Sequence, residues 1–156
     1  MQKKLHGFTL VELMVTIAVA AILLAIGVPS LTSIYESVRV NNNITKIHDI
    51  MVFARSQAIS YGAAVIVCPY ASKDSCGSNW SDGIRVYQEA SSTTLRVIDG
   101  FSTNDSVAGP SDNKVTFSAD GLSSGGTFTY TPNGKSAQAK KVYINIGGII
   151  SYNSKN

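Results

Sequence analysis

Three groups of residues in this sequence have types and spacings that could do chemistry. The first is Glu12, a lone carboxylate in the otherwise apolar run FTLVELMVTIAVAAILLAIGV from Phe8 to Val28. Within such a stretch a charge costs about 2.5–3.5 kcal/mol at mid-membrane on insertion scales, and less near an interface, so it requires a partner and marks function. The second group is Cys68 and Cys76, the two cysteines of the chain, in the run CPYASKDSC. An even pair in an exported domain reads as a disulfide that closes a small loop, contributing about 2–3 kcal/mol. As metal ligands the two thiolates would lack companions, since of His6 and His48 only His48 lies beyond the basic leader. The third group is Lys135, Lys140, Lys141 and Lys155, which follow Asp120 with no acid among them. Four positive charges on one edge could make weak, salt-sensitive phosphate contacts, or form a solvated edge that discourages strand-to-strand aggregation.

None of these groups makes an enzyme. A Ser-His-Asp or Cys-His site would need His48, which has no nucleophile near it in the helical pattern. Neither GxGxxG nor a P-loop occurs, so no cofactor is expected, and no metal. Ser111-Asp112-Asn113-Lys114 matches S-x-x-K and S-D-N by letter but lies in a polar loop rather than opening a helix.

Those residues sit in a chain of two unequal parts. Of 156 residues 44% are hydrophobic and 15% charged, with 13 basic against 10 acidic, a formal +3. This excludes a disordered tail, and disfavours a nucleic-acid protein driven by net charge. Residues 1–7 form a short leader with Lys3 and Lys4. Residues 8–28 would span about 31 Å as a helix, enough for a hydrocarbon core of about 30 Å. A secretory signal would have a shorter apolar region. Lys3 and Lys4 keep the leader cytoplasmic and send the C-terminal part outward.

Residues 29–62 continue as an amphipathic helix. Leu31, Ile34 and Val38 are spaced three and four apart, as are Ile44, Ile47, Met51, Ala54, Ala58 and Tyr61. Gly27 and Pro29 permit a kink, Asn41-Asn42-Asn43 predicts a weak or bent point, and Gly62 reads as the C-cap. His48 and Arg55 read as solvated or domain-packing residues. Residues 63–156 read as a β-domain with strands at Ala63–Cys68, Ile84–Gln88, Thr93–Ile98, Lys114–Ser118, Thr127–Thr131, Lys141–Ile146 and Ile149–Tyr152, separated by Gly, Pro and Asn turns. Short turns imply antiparallel pairing, and Val142, Ile144 and Ile146 would face the helix. The fold class is α+β.

Gly7-Phe8-Thr9-Leu10-Val11-Glu12 resembles the class III signal of type IV pilins and type II secretion pseudopilins. The resemblance implies that a prepilin peptidase cuts after Gly7 and methylates Phe8, and that Glu12 pairs with the new amine of a neighbouring subunit. Electrostatics agrees, because an unpaired buried charge is strongly penalised and enforces the stagger between subunits. Loss of Lys3 and Lys4 would bring the formal +3 to +1.

A second resemblance runs from Ala54 to Gly83, ARSQAISYGAAVIVCPYASKDSCGSNWSDG. The order A-R-S-x-A-I, a small-residue turn, a strand ending in Cys-Pro, a second Cys and then Trp80 is similar to the minor pilin and pseudopilin family that includes FimT, FimU and GspH. It implies the pilin fold: a long N-terminal helix, transmembrane and then amphipathic, packed on a C-terminal antiparallel β-domain. Trp80 reads as a packing aromatic. The implied function is a structural minor pilin of a type IV pilus, in a priming or tip complex. Its partners would be other minor and major pilins, the prepilin peptidase and the inner membrane. It would begin as a single-pass inner-membrane protein with a periplasmic domain and end in the pilus at the cell surface. Alternatives are a DNA-binding minor pilin of natural transformation and a GspH-like pseudopilin of type II secretion. FimT-like DNA uptake is attributed to a Gly-Arg-x-Arg motif, and here Gly148-Ile149-Ile150-Ser151 stands in its place without either arginine.

Overall fold

Helix α1, Leu10–Tyr61, is the longest element of the chain at 52 residues. The computed structural model describes residues 8–152, and within α1 the side chains of residues 28–33 are not described. Thr9 opens the helix. Its carbonyl accepts the Leu13 N–H at 3.1 Å and its Oγ1 accepts the Glu12 N–H at 3.2 Å. This is N-cap bonding with Glu12 at the third helical position, where a carboxylate also faces the positive end of the helix dipole. Gly62 closes the helix at φ +60°, with Gly62 N–H on the Ile59 carbonyl and Ala63 N–H on the Ala58 carbonyl. Those two bonds are the Schellman pattern, which needs a residue tolerant of positive φ at that position.

The chain forms two compact units, one ending at Val38 and the other beginning at Arg39. In the first, every described side chain of α1 from Leu10 to Ile26 is exposed. The second is a folded β-domain whose helical wall is the remainder of α1. Val40, Ile44, Ile47, Met51, Ala54 and Ala58 recur every three or four residues and are buried. Ala54 and Ala58, fully buried, let the sheet come close to the helix backbone.

Among the described residues nine strands make two antiparallel sheets: β1 Val65–Ser72, β2 Ser75–Cys76, β3 Gly83–Gln88, β4 Thr94–Asp99, β5 Ser106–Ala108, β6 Val115–Phe117, β7 Gly126–Thr131, β8 Lys140–Ile144 and β9 Ile150–Tyr152. The first sheet has the order β2-β1-β3-β4 with β6 also on β1, and the second has the order β5-β7-β8-β9. Alternation selects the inward residues: Ile84 and Val86 of β3, Phe128 and Tyr130 of β7, Val142 and Ile144 of β8. With Val65, Val67, Val115 and Phe117 they form one core with the α1 stripe. Trp80 enters it edge-on to Phe128, with ring centroids 4.7 Å apart. Gly109 lies flat against that indole, where an added Cβ would sit 2.6 Å from Nε1.

The structure corrects several sequence expectations. Ile146 does not face the helix but is 74% exposed. β8 ends at Ile144, and the Asn145–Gly148 turn, closed by Gly148 N–H on the Asn145 carbonyl at 2.9 Å, breaks the alternation. Tyr61, in the last turn of α1, is 51% exposed rather than part of the stripe. Ile34 and Val38 are exposed too, Leu31 lies outside the described side chains, and among those described along α1 the buried stripe begins at Val40. Asn41–Asn43 does not interrupt the helix, because tertiary bonds hold two of the three: Asn43 Nδ2 donates to Tyr130 Oη at 2.7 Å, and Lys140 Nζ donates to Asn41 Oδ1. β1 runs through Pro69, where β6 pairs as far as Val67 and β2 takes over at Tyr70. Proline falls between these two pairings, the place where a missing N–H costs least.

Candidate membrane and assembly site

The first α1 unit holds the residues expected to act. Gly7 lies outside the described residues. Phe8 is 74% exposed just before the Thr9 cap, and Glu12 follows it by four residues on the first turn. Leu10–Gly27 is an 18-residue window apolar enough to cross a membrane, and none of it is buried. A helix apolar on all faces is stable only where lipid or other apolar helices surround it. Within that surface Glu12 is the one carboxylate. Sequence reasoning gave Glu12 a single task, while the structure adds that its backbone N–H is the one capped by Thr9. Thr9-Leu10-Val11-Glu12 has the S/T-x-x-E spacing that could have revealed this.

Cys68 and Cys76 are joined by a disulfide with Cα atoms 5.7 Å apart, tying β1 to β2. Cys68 is buried and Cys76 exposed. Arg85 lies over the Tyr87 ring beneath this hairpin and is itself buried, donating to Thr94 Oγ1 at 2.9 Å and to the Ser92 carbonyl at 3.1 Å.

Of these lysines, the three within the described residues do not line one edge. Lys155 lies outside the described residues. Lys140 and Lys141 are neighbours on β8 and therefore point to opposite faces; Lys140 is engaged by Asn41 and Lys141 faces solvent. Lys135 sits in the turn after β7. Where the Gly-Arg-x-Arg motif would fall, Gly148 is buried and Ile149 and Ser151 are exposed, so this surface presents an isoleucine and a serine.

Two polar constellations escaped the sequence reading. Asp105, whose side chain is fully buried, pairs with Arg39 Nη1 at 3.0 Å. It also accepts Tyr130 Oη–H and, at 3.0 Å, the Asn133 N–H. Burial, and then the bond to Asp105, push the Tyr130 phenol up to about 12. This set ties α1 to β7 and its following turn. Secondly, Arg55 donates from Nε to the Gly121 carbonyl at 3.0 Å and from Nη2 to the Gly147 carbonyl at 3.4 Å. The two glycine turns touch: at Gly148, φ +75°, a Cβ would lie 2.0 Å from the Gly121 oxygen. No spacing in the sequence links residues so far apart. His48 stacks on Tyr152 at 4.3 Å and bonds Asp49, a packing role. Among the described residues no group of His, Cys, Asp and Glu could hold a metal ion.

The fold resembles solved pilin structures. The Pseudomonas aeruginosa type IV minor pilin FimU matches at 24% identity and TM-score 0.61, over 72% of this chain and 87% of that one. A second crystal form of FimU matches at 25% identity and TM-score 0.57, over 69% and 87%. The minor pseudopilin EpsH of the Vibrio cholerae type 2 secretion system matches at 11% identity and TM-score 0.54, over 73% and 95%. Residues 2–28 match the prokaryotic N-terminal methylation motif. Residues 44–148, the greater part of the chain and nearly all of the β-domain, match the model of type II transport protein GspH. An all-round apolar N-terminal helix, a methylation motif around Phe8 and this β-domain together place the chain in the GspH family of minor pilins and pseudopilins.

Proposed function

We propose that the chain acts as a minor pilin, a structural and non-catalytic subunit of a type IV pilus, working in its priming or tip complex. The observation that carries this reading is the exposed Leu10–Gly27 helix with its single carboxylate at Glu12, on a chain of pilin fold. Before assembly the helix anchors the protein in the inner membrane, with Lys3 and Lys4 cytoplasmic and the β-domain periplasmic. A prepilin peptidase cuts between Gly7 and Phe8 and methylates the new amine. That cationic terminus on one subunit then pairs with Glu12 of another, in the low dielectric of packed apolar helices. There an unmatched carboxylate costs several kcal/mol, so the pairing fixes register between subunits. The Cys68–Cys76 bridge and the Asp105 set keep the exported domain rigid.

The test is to recover the natural protein from sheared pili and determine its N-terminus by mass spectrometry. A methylated Phe8 terminus supports the reading. A chain that keeps Met1 and its lysines, or that never enters pili, overturns it.

A second reading compatible with the same family match is a pseudopilin of a type II secretion machine. It is physically the same object in another assembly. Deletion separates the two: loss of piliation marks the pilus, and loss of secreted enzymes with normal pili marks the secretion machine.

A further inference from the structure

The first sheet stops at β4, whose outer edge carries no strand among the described residues. Exposed edges are usually blunted by shortness, by proline, by a covering element or by an inward-pointing charge, here Arg96, which a partner bearing a carboxylate would satisfy. β4 is six residues long, TLRVID, without proline. Its register, Ile84 with Ile98 and Val86 with Arg96, puts Ile98 and Arg96 on the face that carries the buried Ile84 and Val86. Between them and Lys46, Asp49 and Ile50 of α1 lies a cleft of about 130 Å³. Its floor is apolar, made by the buried Ile50 and half-buried Ile98. Its rim is charged. Asp49 is engaged by His48 Nδ1 at 3.0 Å. Arg96 lies 5.0 Å over the Phe53 ring, which orients the guanidinium without neutralising it. Among the described residues neither Lys46 nor Arg96 forms an ion pair.

We propose that this cleft receives an extended segment of another polypeptide, added as a further strand on β4. Such a segment sets an apolar side chain on Ile50 and Ile98 and a carboxylate between Lys46 and Arg96. Backbone bonds to an open edge supply affinity for any extended chain, and pockets for alternate side chains supply selectivity. The three features coincide here: free edge, apolar floor and unpaired cations. A nucleic-acid strand fits them less well. Phosphates gain from Lys46 and Arg96 but leave the isoleucines uncovered, and a sugar-phosphate backbone offers no row of amide donors to the open edge. The inference goes beyond the filament assignment, since it holds in either machine and involves neither Phe8 nor Glu12.

The experiment uses the full chain in detergent micelles and reads fluorescence anisotropy with labelled peptides. The probes are Thr-Glu-Thr-Val-Thr-Glu-Thr, whose alternation sets both acids and the valine on one face, its counterpart with lysines for both acids, and the acidic peptide with alternate amides N-methylated. A short DNA duplex is the fourth probe. The acidic peptide is expected to bind about fivefold tighter than the basic one, as two exposed ion pairs allow. N-methylation is expected to abolish binding, because it removes the donors that pair with the edge. A Lys46→Glu, Arg96→Glu double variant should reverse the charge preference, and milder Lys46→Gln and Arg96→Gln changes should each reduce it. Circular dichroism establishes that each variant is folded. Equal binding of acidic and basic peptides, indifference to N-methylation or to the charge changes, preference for DNA, or no peptide binding at all would each overturn the proposal.

Discussion

Along Leu10–Gly27 α1 is apolar on every face and buries nothing, whereas from Val40 to Ala58 it is amphipathic and buries one stripe against the sheets. Both stretches are good helix formers, so propensity does not distinguish them. What differs is who supplies the other half of the contact. The second stretch finds its partners, Val65, Val86, Phe128 and Tyr130 among them, in its own chain. The first has no such partners among the described residues and so needs lipid or neighbouring subunits. Polar groups follow the same division. Asp105 has Arg39, Tyr130 and the Asn133 amide at hand, while Glu12 has only its capped backbone among these bonds, and the cation proposed for it comes from another subunit. The lesson is that one helix can carry two kinds of unfinished surface, one completed by folding and the other by assembly.

This contrast can be broken by substitution. Glu12→Ala should leave the thermal melting of the β-domain unchanged yet cut incorporation into filaments by about a hundredfold, the scale of an orphaned buried charge. Quantitative blotting of sheared filaments reads that ratio, and wild-type levels would refute the pairing. Phe128→Ala should do the reverse, costing the domain about 3–5 kcal/mol by opening a cavity beside Trp80. Urea unfolding of the full chain in detergent measures it, and a loss under 1 kcal/mol would mean the core is looser than its full burial implies. The Cys68→Ser, Cys76→Ser pair should cost about 2.5 kcal/mol in the same assay, from the entropy of the small loop.

The smallest effect is the most specific. Tyr130→Phe should cost about 1–2 kcal/mol by removing one donor from the buried carboxylate. It should also change the pH profile. The folded phenol titrates at about 12 against 10.0 for an ordinary tyrosine, so the fold prefers the protonated form. Its contribution is therefore whole below pH 10 and disappears as pH climbs to about 12. Wild type should lose stability over that window more steeply than Tyr130→Phe, and parallel profiles would remove Tyr130 from the account.

Local spacing made much of this fold legible. Three- and four-residue intervals located the α1 stripe, and glycine located its C-cap. Alternation located β3, β4, β6 and β7 within a residue or so. The strands that escaped, β2 and β5, are two and three residues long and exist through pairing, with β1 and β7 respectively. Ile146 continued an alternation on paper that a turn had already ended. The same limit governs the sites. Glu12 stands out because its neighbours in sequence are all wrong for it. Asp105 does not, because what makes it unusual is burial beside Arg39 and Tyr130, both distant along the chain.

The sequence by itself determined the α+β class, the membrane-length helix, the one carboxylate within it and the cysteine pair, since each follows from the order of residues close together. Tertiary structure alone decided the two-sheet arrangement, the Arg39–Asp105–Tyr130 set, the Arg55 clamp on two glycine turns and the cleft beside β4. It also separated Lys140 from Lys141, which adjacency in sequence had joined. Such features depend on contacts between residues tens of positions apart, and the entropy lost in bringing them together is repaid only when the whole core forms at once.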